Sequence, residues 1–335
     1  MPSFLSVIFG SSNKGGATFE AKRDIPSLAG KVVLITGAAG DLGRQTATEL
    51  SRYGRPARLY IADLPRDEVA KEEATDRVSR DAYGAEGTKE CDISARTEVH
   101  FLDLDLSSFE SIRKCATEFL AKEKRLDILV LNAGIISVPP KVTGQNYEIH
   151  FGINYLGHTL LTRLLTPVLR RTAEEEKAAV RLVVVSSEGH TVTPKGGIQF
   201  DRLKSPMDGL SWTSRYGQSK LALLALTRGL AKRYPQITVA AVHPGRVITG
   251  MGDKLGKESV LVRMTRPIAP LVAVPVTVGA RNHLWVATSP QVVSGSYYEP
   301  VGVLAEGSAL SRDEKLIEEL WEWTDAELRG QDSLE

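Results

Sequence analysis

The sequence predicts an α/β fold: one doubly wound parallel sheet with helices on both faces, in a single domain. Three observations predict it. Short apolar runs such as KVVLITG, LDILVLNAG and VRLVVVSS lack polar alternation, which marks strands buried on both faces. They alternate with segments of helical periodicity, and no long linker interrupts the series. Polar or glycine residues stand where these runs end: Thr36-Gly37, Asp63, Asp105, Asn132 to Gly134, Ser186-Ser187 and Pro244-Gly245. A generic core needs no polar residue at each strand exit, and ligands of open α/β sheets bind at those exits.

Each element follows in order. KVVLITG (31–37) is β-branched and closes on glycine, a buried strand; LGRQTATELSRYG (42–54) is a helix stopped by Gly54. RLYIAD (58–63) is the second strand. The charged stretch 64–96 reads as helix in part, with 83–94 an exposed loop. VHFLDL (99–104) is a third strand, FESIRKCATEFLAKEK (109–124) an amphipathic helix, and LDILVLNAG (126–134) a fourth strand. A long helix over 147–171, a strand over 180–187, a helix over 213–234 and a strand over 238–245 come next. The chain closes with a helix (277–289), a short strand (294–300) and a last helix (312–329). Residues 1–29 are expected as a poorly ordered arm and 30–335 as the domain. Loops at about 188–212 and 250–275 are expected to form a mobile apolar lid, with His190, Phe200, Met207, Trp212, Met251, Leu255, Leu261 and Met264.

Composition excludes several classes. Of 335 residues, 42% are hydrophobic and 25% charged, as in ordinary globular proteins. A net charge of +1 gives no nucleic-acid footprint. Cys91 and Cys115 show neither ligand spacing nor a disulfide framework, which fits a reducing, cytoplasmic setting. His100, His150, His158, His243 and His283 show no paired ligand spacing, so no metal site is expected. The apolar run 267–278 contains three prolines, and no membrane span is expected there.

Two motifs carry chemistry. Tyr216 and Lys220 lie four apart on one helix and share a face. A cation held beside a phenol favours the phenolate and lowers its pKa, so that the tyrosine can exchange a proton with a substrate oxygen. The first strand runs into Gly37-Ala38-Ala39-Gly40-Asp41-Leu42-Gly43 and then a helix. Glycines there let backbone N–H groups approach a pyrophosphate. Asp63 ends the second strand, 20 residues after Gly43. At that distance it can accept hydrogen bonds from ribose hydroxyls, which favours NAD over NADP. Arg44 and Arg66 argue the other way, since either could meet a 2′-phosphate.

With these residues in hand, the chain resembles the short-chain dehydrogenase/reductases from about Lys31 to Glu299. The resemblance rests on TGAAGDLG, Asp105-Leu106, NAG at 132–134, INYLGH around Asn154, VVVSS at 183–187, YGQSK and HPGRVIT at 243–249. LDLSSFESIR, NYLGHTLLT and SYYEPVGVL resemble the retinol-dehydrogenase-like branch, most of all its members in fungal secondary metabolism. The resemblance implies a Rossmann domain that binds NAD or NADP and interconverts an alcohol and a ketone. It implies Tyr216 as general acid/base, and Lys220 as the group that lowers its pKa and holds the nicotinamide ribose. Ser187 would bind the substrate oxygen, with Ser186 the lesser candidate, and Asn154 would hold a water. Gly37, Gly40, Asp41, Leu42, Gly43, Asp63, Asp105, Leu106, Asn132, Gly134, Pro244, Gly245, Val247 and Thr249 would contact the cofactor. It also implies a homodimer or homotetramer built on the helices at 147–171 and 213–234.

One departure stands out. The family pattern TGxxxGxG would place glycine at 41, where this chain has Asp41; its spacing is TGxxGxxG. A carboxylate there opposes a pyrophosphate unless it turns away, and Asp41 could instead cap the first helix. The same scaffold admits redox-neutral dehydratases, isomerases and cyclisation catalysts, and non-catalytic dinucleotide sensors. The lipophilic lid favours a bulky secondary alcohol or ketone.

Overall fold

The computed structural model describes residues 17–84, 96–175, 178–247 and 274–333. Its strands are β1 (Val32–Thr36), β2 (Arg58–Asp63), β3 (Glu98–Asp103), β4 (Ile128–Leu131), β5 (Arg181–Val185), β6 (Thr238–Val242), β7 (Tyr297–Tyr298) and β8 (Leu304–Ala305). Its helices are α1 (Ala21–Asp24), α2 (Asp41–Glu49), α3 (Glu68–Tyr83), α4 (Phe109–Lys122), α5 (His158–Ala173), α6 (Trp212–Arg233), α7 (Val276–Thr288) and α8 (Glu314–Glu327). The sheet order is β3-β2-β1-β4-β5-β6-β7-β8, with only β7–β8 antiparallel. The order reverses between β1 and β4, the switch point that opens a ligand crevice at the strand exits.

Strand alternation divides the core in two. Val32 and Leu34 of β1 pack with α4, α5, α6 and α8 on one face. Val33 and Ile35 pack with α2, α7 and the N-terminal segment on the other. Successive side chains of a strand point to opposite faces, so four consecutive apolar residues serve both layers.

The structure departs from the sequence reading in four places and bears out two expectations. Residues 17–29 belong to the domain: Phe19, Ile25 and Leu28 are buried, and the Leu28 amide donates to the Gly54 carbonyl at 2.6 Å. As expected, part of the charged stretch is helix: α3, whose first turn Asp67 caps by accepting from the Ala70 amide. Tyr83, expected in an exposed loop, is buried and donates to the Ser51 carbonyl at 2.8 Å. The long helix begins as a π-helical stretch, Phe151–Gly157, centred on Asn154. Such bulges re-aim a side chain out of helical register. The first part of the expected lid is packed rather than open: Leu203 and Met207 are buried, and the Glu148 amide donates to the Leu203 carbonyl. Trp212 and Val192 do stay exposed. The last helix, α8, docks on the domain over the helices at 147–171 and 213–234: Tyr155 hydroxyl meets Thr324 at 2.7 Å, Tyr147 donates to Glu327, and the Arg233 guanidinium stacks 3.8 Å from Trp321. Any assembly through those faces would have to displace α8. Among the described residues, no helix is long and apolar enough to cross a membrane.

Candidate active site

The glycine loop is set by sterics and by β1. Gly37 has φ +68°, and its amide donates to the Ala62 carbonyl at 2.7 Å. A Cβ at Gly43 would lie 2.6 Å from the Gly37 carbonyl oxygen and 2.7 Å from Asn132 Nδ2, closer than atoms tolerate. The loop therefore takes its tight path only with glycine at 43. Gly40 is the N-cap of α2 in extended conformation, so Asp41 is the first helical residue rather than the cap expected above. An acid in a first turn is still favourable to the helix dipole. Leu42 points toward α7, where its Cδ1 lies 3.3 Å from the position a Gly279 Cβ would take.

Asp63 braces this loop. Its carboxylate accepts from the Ala39 amide at 2.9 Å, the Leu64 amide at 2.8 Å and Arg66 Nη2 at 3.0 Å. Arg66 also lies over the Phe101 ring. Arg44 is paired with Asp81. Both arginines that could meet a 2′-phosphate are thus already engaged by carboxylates. Asp105 folds back on its own turn and accepts from the amide and hydroxyl of Ser107. Leu106 is buried, with its carbonyl against Gly157 of the π stretch.

Thr36 and His158, which the sequence reading did not select, lock β1 to β4 and to Asn154. Thr36 Oγ1 accepts from the amides of Asn132 and Ala133 at 2.9 and 3.0 Å. It meets His158 Nε2 at 2.9 Å, while His158 Nδ1 faces the Asn154 carbonyl at 2.9 Å. Burial pushes the His158 pKa down to about 4, so the ring is neutral. A carbonyl only accepts; Nδ1 therefore carries the proton and Nε2 accepts from the Thr36 hydroxyl. Asn154 is fully buried; it accepts from the Ile135 amide at 2.8 Å and donates to Ser219 Oγ at 3.0 Å. A Cβ at Gly134 would stand 3.1 Å from Asn154 Oδ1 and 3.7 Å from Lys220 Nζ, so these three residues adjoin.

The β5 exit and the start of α6 come together as the spacing predicted. Tyr216 and Lys220 share a face, with the ammonium 5.6 Å from the phenol ring centre. Lys220 Nζ donates to the Val185 carbonyl at 2.9 Å, and burial lowers its pKa to about 8. Tyr216 departs from expectation. Burial, helped by the nearby Glu188 charge, pushes its phenol up to about 12, although Ser187 beside it favours the phenolate. Desolvation is the largest cause here, and it outweighs the hydrogen bond from Ser187. The two serines separate: Ser186 Oγ is spent on the Lys220 carbonyl at 2.9 Å, whereas Ser187 Oγ lies by Tyr216 and accepts from the Gly189 amide. A Cβ at Gly217 would lie 2.0 Å from the Val192 carbonyl, so only glycine lets α6 close this tightly on the turn after β5.

Three further groups surround the pair. Arg215 is buried; it donates to Glu148 at 3.1 Å and to the Val138 carbonyl at 2.9 Å. His150 also contacts Glu148, and its ring centre lies 6.2 Å from that of Tyr216. No sequence pattern revealed this cluster, since a buried arginine looks like any surface cation in a helix. His190 is structural: Nδ1 meets the Ser187 carbonyl at 2.7 Å and Nε2 accepts from the Ser308 amide at 3.1 Å. At the β6 exit, Gly245 has φ +84°, Val247 bridges to Val274, and Asn282 of α7 donates to the His243 and Tyr298 carbonyls. Pro244 faces the same helix, its carbonyl 3.2 Å from the position of a Gly279 Cβ. Thr249, Met251, Leu255, Leu261 and Met264 lie outside the described residues.

Comparison with known proteins gives the family. The family described as short chain dehydrogenase matches residues 31–200. Human retinol dehydrogenase 14 is 38% identical over 305 residues, covering 88% of this chain and 84% of its own. The short-chain dehydrogenase/reductase drtF of Aspergillus calidoustus is 35% identical over 327 residues, covering 93% and 98%. The Pseudomonas aeruginosa RhlG/NADP active-site complex superposes with a TM-score of 0.58 at 25% identity, over 81% of this chain and 94% of that one. The chain is therefore an oxidoreductase that belongs to the short-chain dehydrogenase family, in its retinol-dehydrogenase-like branch.

Proposed function

We propose that this protein interconverts a secondary alcohol and a ketone on a bulky lipophilic substrate, with NAD as the preferred cofactor over NADP. The observation that carries the reading is the convergence of Ser187, Tyr216, Lys220 and Asn154 at the exits of β4 and β5, next to a loop that admits only glycine at 43. That loop fits a dinucleotide: its backbone turns tightly before α2, whose free amides and dipole favour an anion. Gly37, Gly40, Leu42 and Gly43 would meet the pyrophosphate, and Asn132, Gly134, Val247 and Lys220 the nicotinamide half. Asp63 would accept from the adenosine ribose and Asp105 would lie at the adenine. Asp63 supports NAD, because Arg66 is already neutralised by it.

When bound, the nicotinamide supplies or removes the hydride. Tyr216, whose phenol is protonated at neutral pH, donates its proton to the carbonyl oxygen in reduction and recovers it in oxidation. Ser187 donates a hydrogen bond to that oxygen and stabilises the charge developing on it. Lys220 and Asn154 fix the tyrosine's surroundings and give the proton a route through water. Exposed Trp212, one turn before Tyr216, and Val192 offer an apolar rim for a large substrate. A cytoplasmic, self-associating protein remains part of the proposal, subject to the cover that α8 places over α5 and α6.

Titration with NADH and NADPH, followed by nicotinamide fluorescence, tests the first half. Tighter NADH binding is expected; tighter NADPH binding would reverse the cofactor assignment. Assay of lipophilic secondary alcohols and ketones tests the second. Product formed without cofactor turnover would move the protein to a redox-neutral class.

A further inference from the structure

Glu188, His243 and Glu299 each offer one ligand atom, and these atoms lie within 4.8 Å of one another. They come from three places: the turn after β5, the exit of β6 and the exit of β7. His243 is 5% exposed, and neither ring nitrogen has a hydrogen-bond partner among the described residues. A buried polar group left unmatched is destabilising, so a folded protein rarely retains one without a use. Glu299 accepts from the Tyr297 hydroxyl at 2.6 Å, an outer contact of the kind that orients a ligating carboxylate.

We propose that Glu188, His243 and Glu299 form a binding site for a divalent cation such as Zn²⁺ or Mn²⁺. One imidazole nitrogen and two carboxylates suit borderline and hard dications and give no preference for soft ones. Ligands of such ions lie at about 2.0–2.2 Å, so small side-chain rotations must bring these atoms closer together. Arg246 is a competitor among the described residues: its Nε donates to Glu188 at 2.6 Å. A dication must displace that guanidinium from the carboxylate. Glu188 directly follows Ser187, so the ion would place positive charge beside the groups proposed to hold the substrate oxygen.

The test uses the full chain and Co²⁺ as probe, read by its d–d absorption and by metal-dependent thermal melting rather than by turnover. One equivalent of Co²⁺ is expected, displaced by Zn²⁺ and raising the melting temperature of the wild type. Glu188→Gln and Glu299→Gln should each weaken binding at least ten-fold. His243→Leu should melt no lower than wild type without metal and lose the metal-induced rise. Arg246→Ala should tighten binding about ten-fold, a gain that no misfolded variant would show. The proposal is overturned by absence of a d–d band at millimolar Co²⁺. It is equally overturned by an adventitious ion only, meaning a band and melting shift unchanged by these four substitutions. An ion held at the exposed His100–Glu98 pair would behave in that way.

Discussion

The exits of β1 and β4 are held by matched hydrogen bonds, whereas those of β5, β6 and β7 hold charge and imidazole in buried surroundings. At the first pair, Thr36, Asn132, Ala133, His158 and Asn154 form one chain of donors and acceptors. At the second, Lys220 is buried and its pKa depressed, the Tyr216 phenol is raised, and the His243 ring nitrogens have no hydrogen-bond partner among the described residues. The difference teaches how the two tasks are divided. Holding a dinucleotide needs a rigid backbone surface, which satisfied hydrogen bonds supply. Moving a proton needs groups whose charge state is poised, and burial poises them at a cost in stability.

The contrast breaks most sharply at Tyr216. Tyr216→Phe should lower kcat by about three orders of magnitude while NADH binding stays within a few-fold. Stopped-flow turnover beside fluorescence titration would check it; a variant with near-normal kcat would remove the tyrosine from the chemistry. Ser187→Ala should cost about 100-fold in kcat. Ser186→Ala, which loses only a contact to the Lys220 carbonyl, should act on melting temperature instead.

The pH dependence of stability sharpens the comparison. Lys220 has a folded pKa of about 8, below its ordinary value of 10.5. Between those values the unfolded chain binds more protons, so stability rises with pH across that window, and below it the native state carries the full burial cost. Lys220→Met should therefore stabilise the protein at neutral pH, by up to about 3 kcal/mol, and abolish that rise while it destroys activity. His158, at about 4 against an ordinary 6.5, acts at the other end. Its contribution is fully present above about pH 6.5 and is lost as pH falls toward 4, again by up to about 3 kcal/mol. Urea denaturation at stepped pH measures both slopes; a flat profile between pH 8 and 10 in the wild type would contradict a buried ammonium.

Smaller effects test the matched end. Thr36→Val should cost about 1–3 kcal/mol, because it strands two amides and a ring nitrogen at once. Chemical denaturation would read it, and a neutral outcome would mean that the chain from β1 to Asn154 is not a structural unit. Asp63→Asn should be the mildest. It keeps one acceptor oxygen for the two amides that Asp63 serves, puts an amide donor in place of the other, and frees Arg66, so KM for NAD should rise several-fold relative to KM for NADP. An unchanged ratio would end the case for Asp63 as selector.

The sequence by itself determined the layer order, the strand exits as the place of the site, and the Tyr216/Lys220 pair, because all three rest on local periodicity. Buried strands read as unbroken apolar runs, four-residue spacing fixes a helix face, and a tight loop before a helix demands glycine. Tertiary structure alone decided the rest. Ser186 and Ser187 are identical neighbours in sequence and differ only because alternate residues of an extended chain point to opposite sides. Thr36 finds His158, Arg215 finds Glu148, and Glu188 approaches His243 and Glu299, through strand order and a π-helical bulge rather than through spacing. The sign of the Tyr216 shift was likewise decided by the fold. A lysine one turn away predicts a lowered pKa, but how much water the surrounding layers exclude is a property of packing, and here that exclusion raises it.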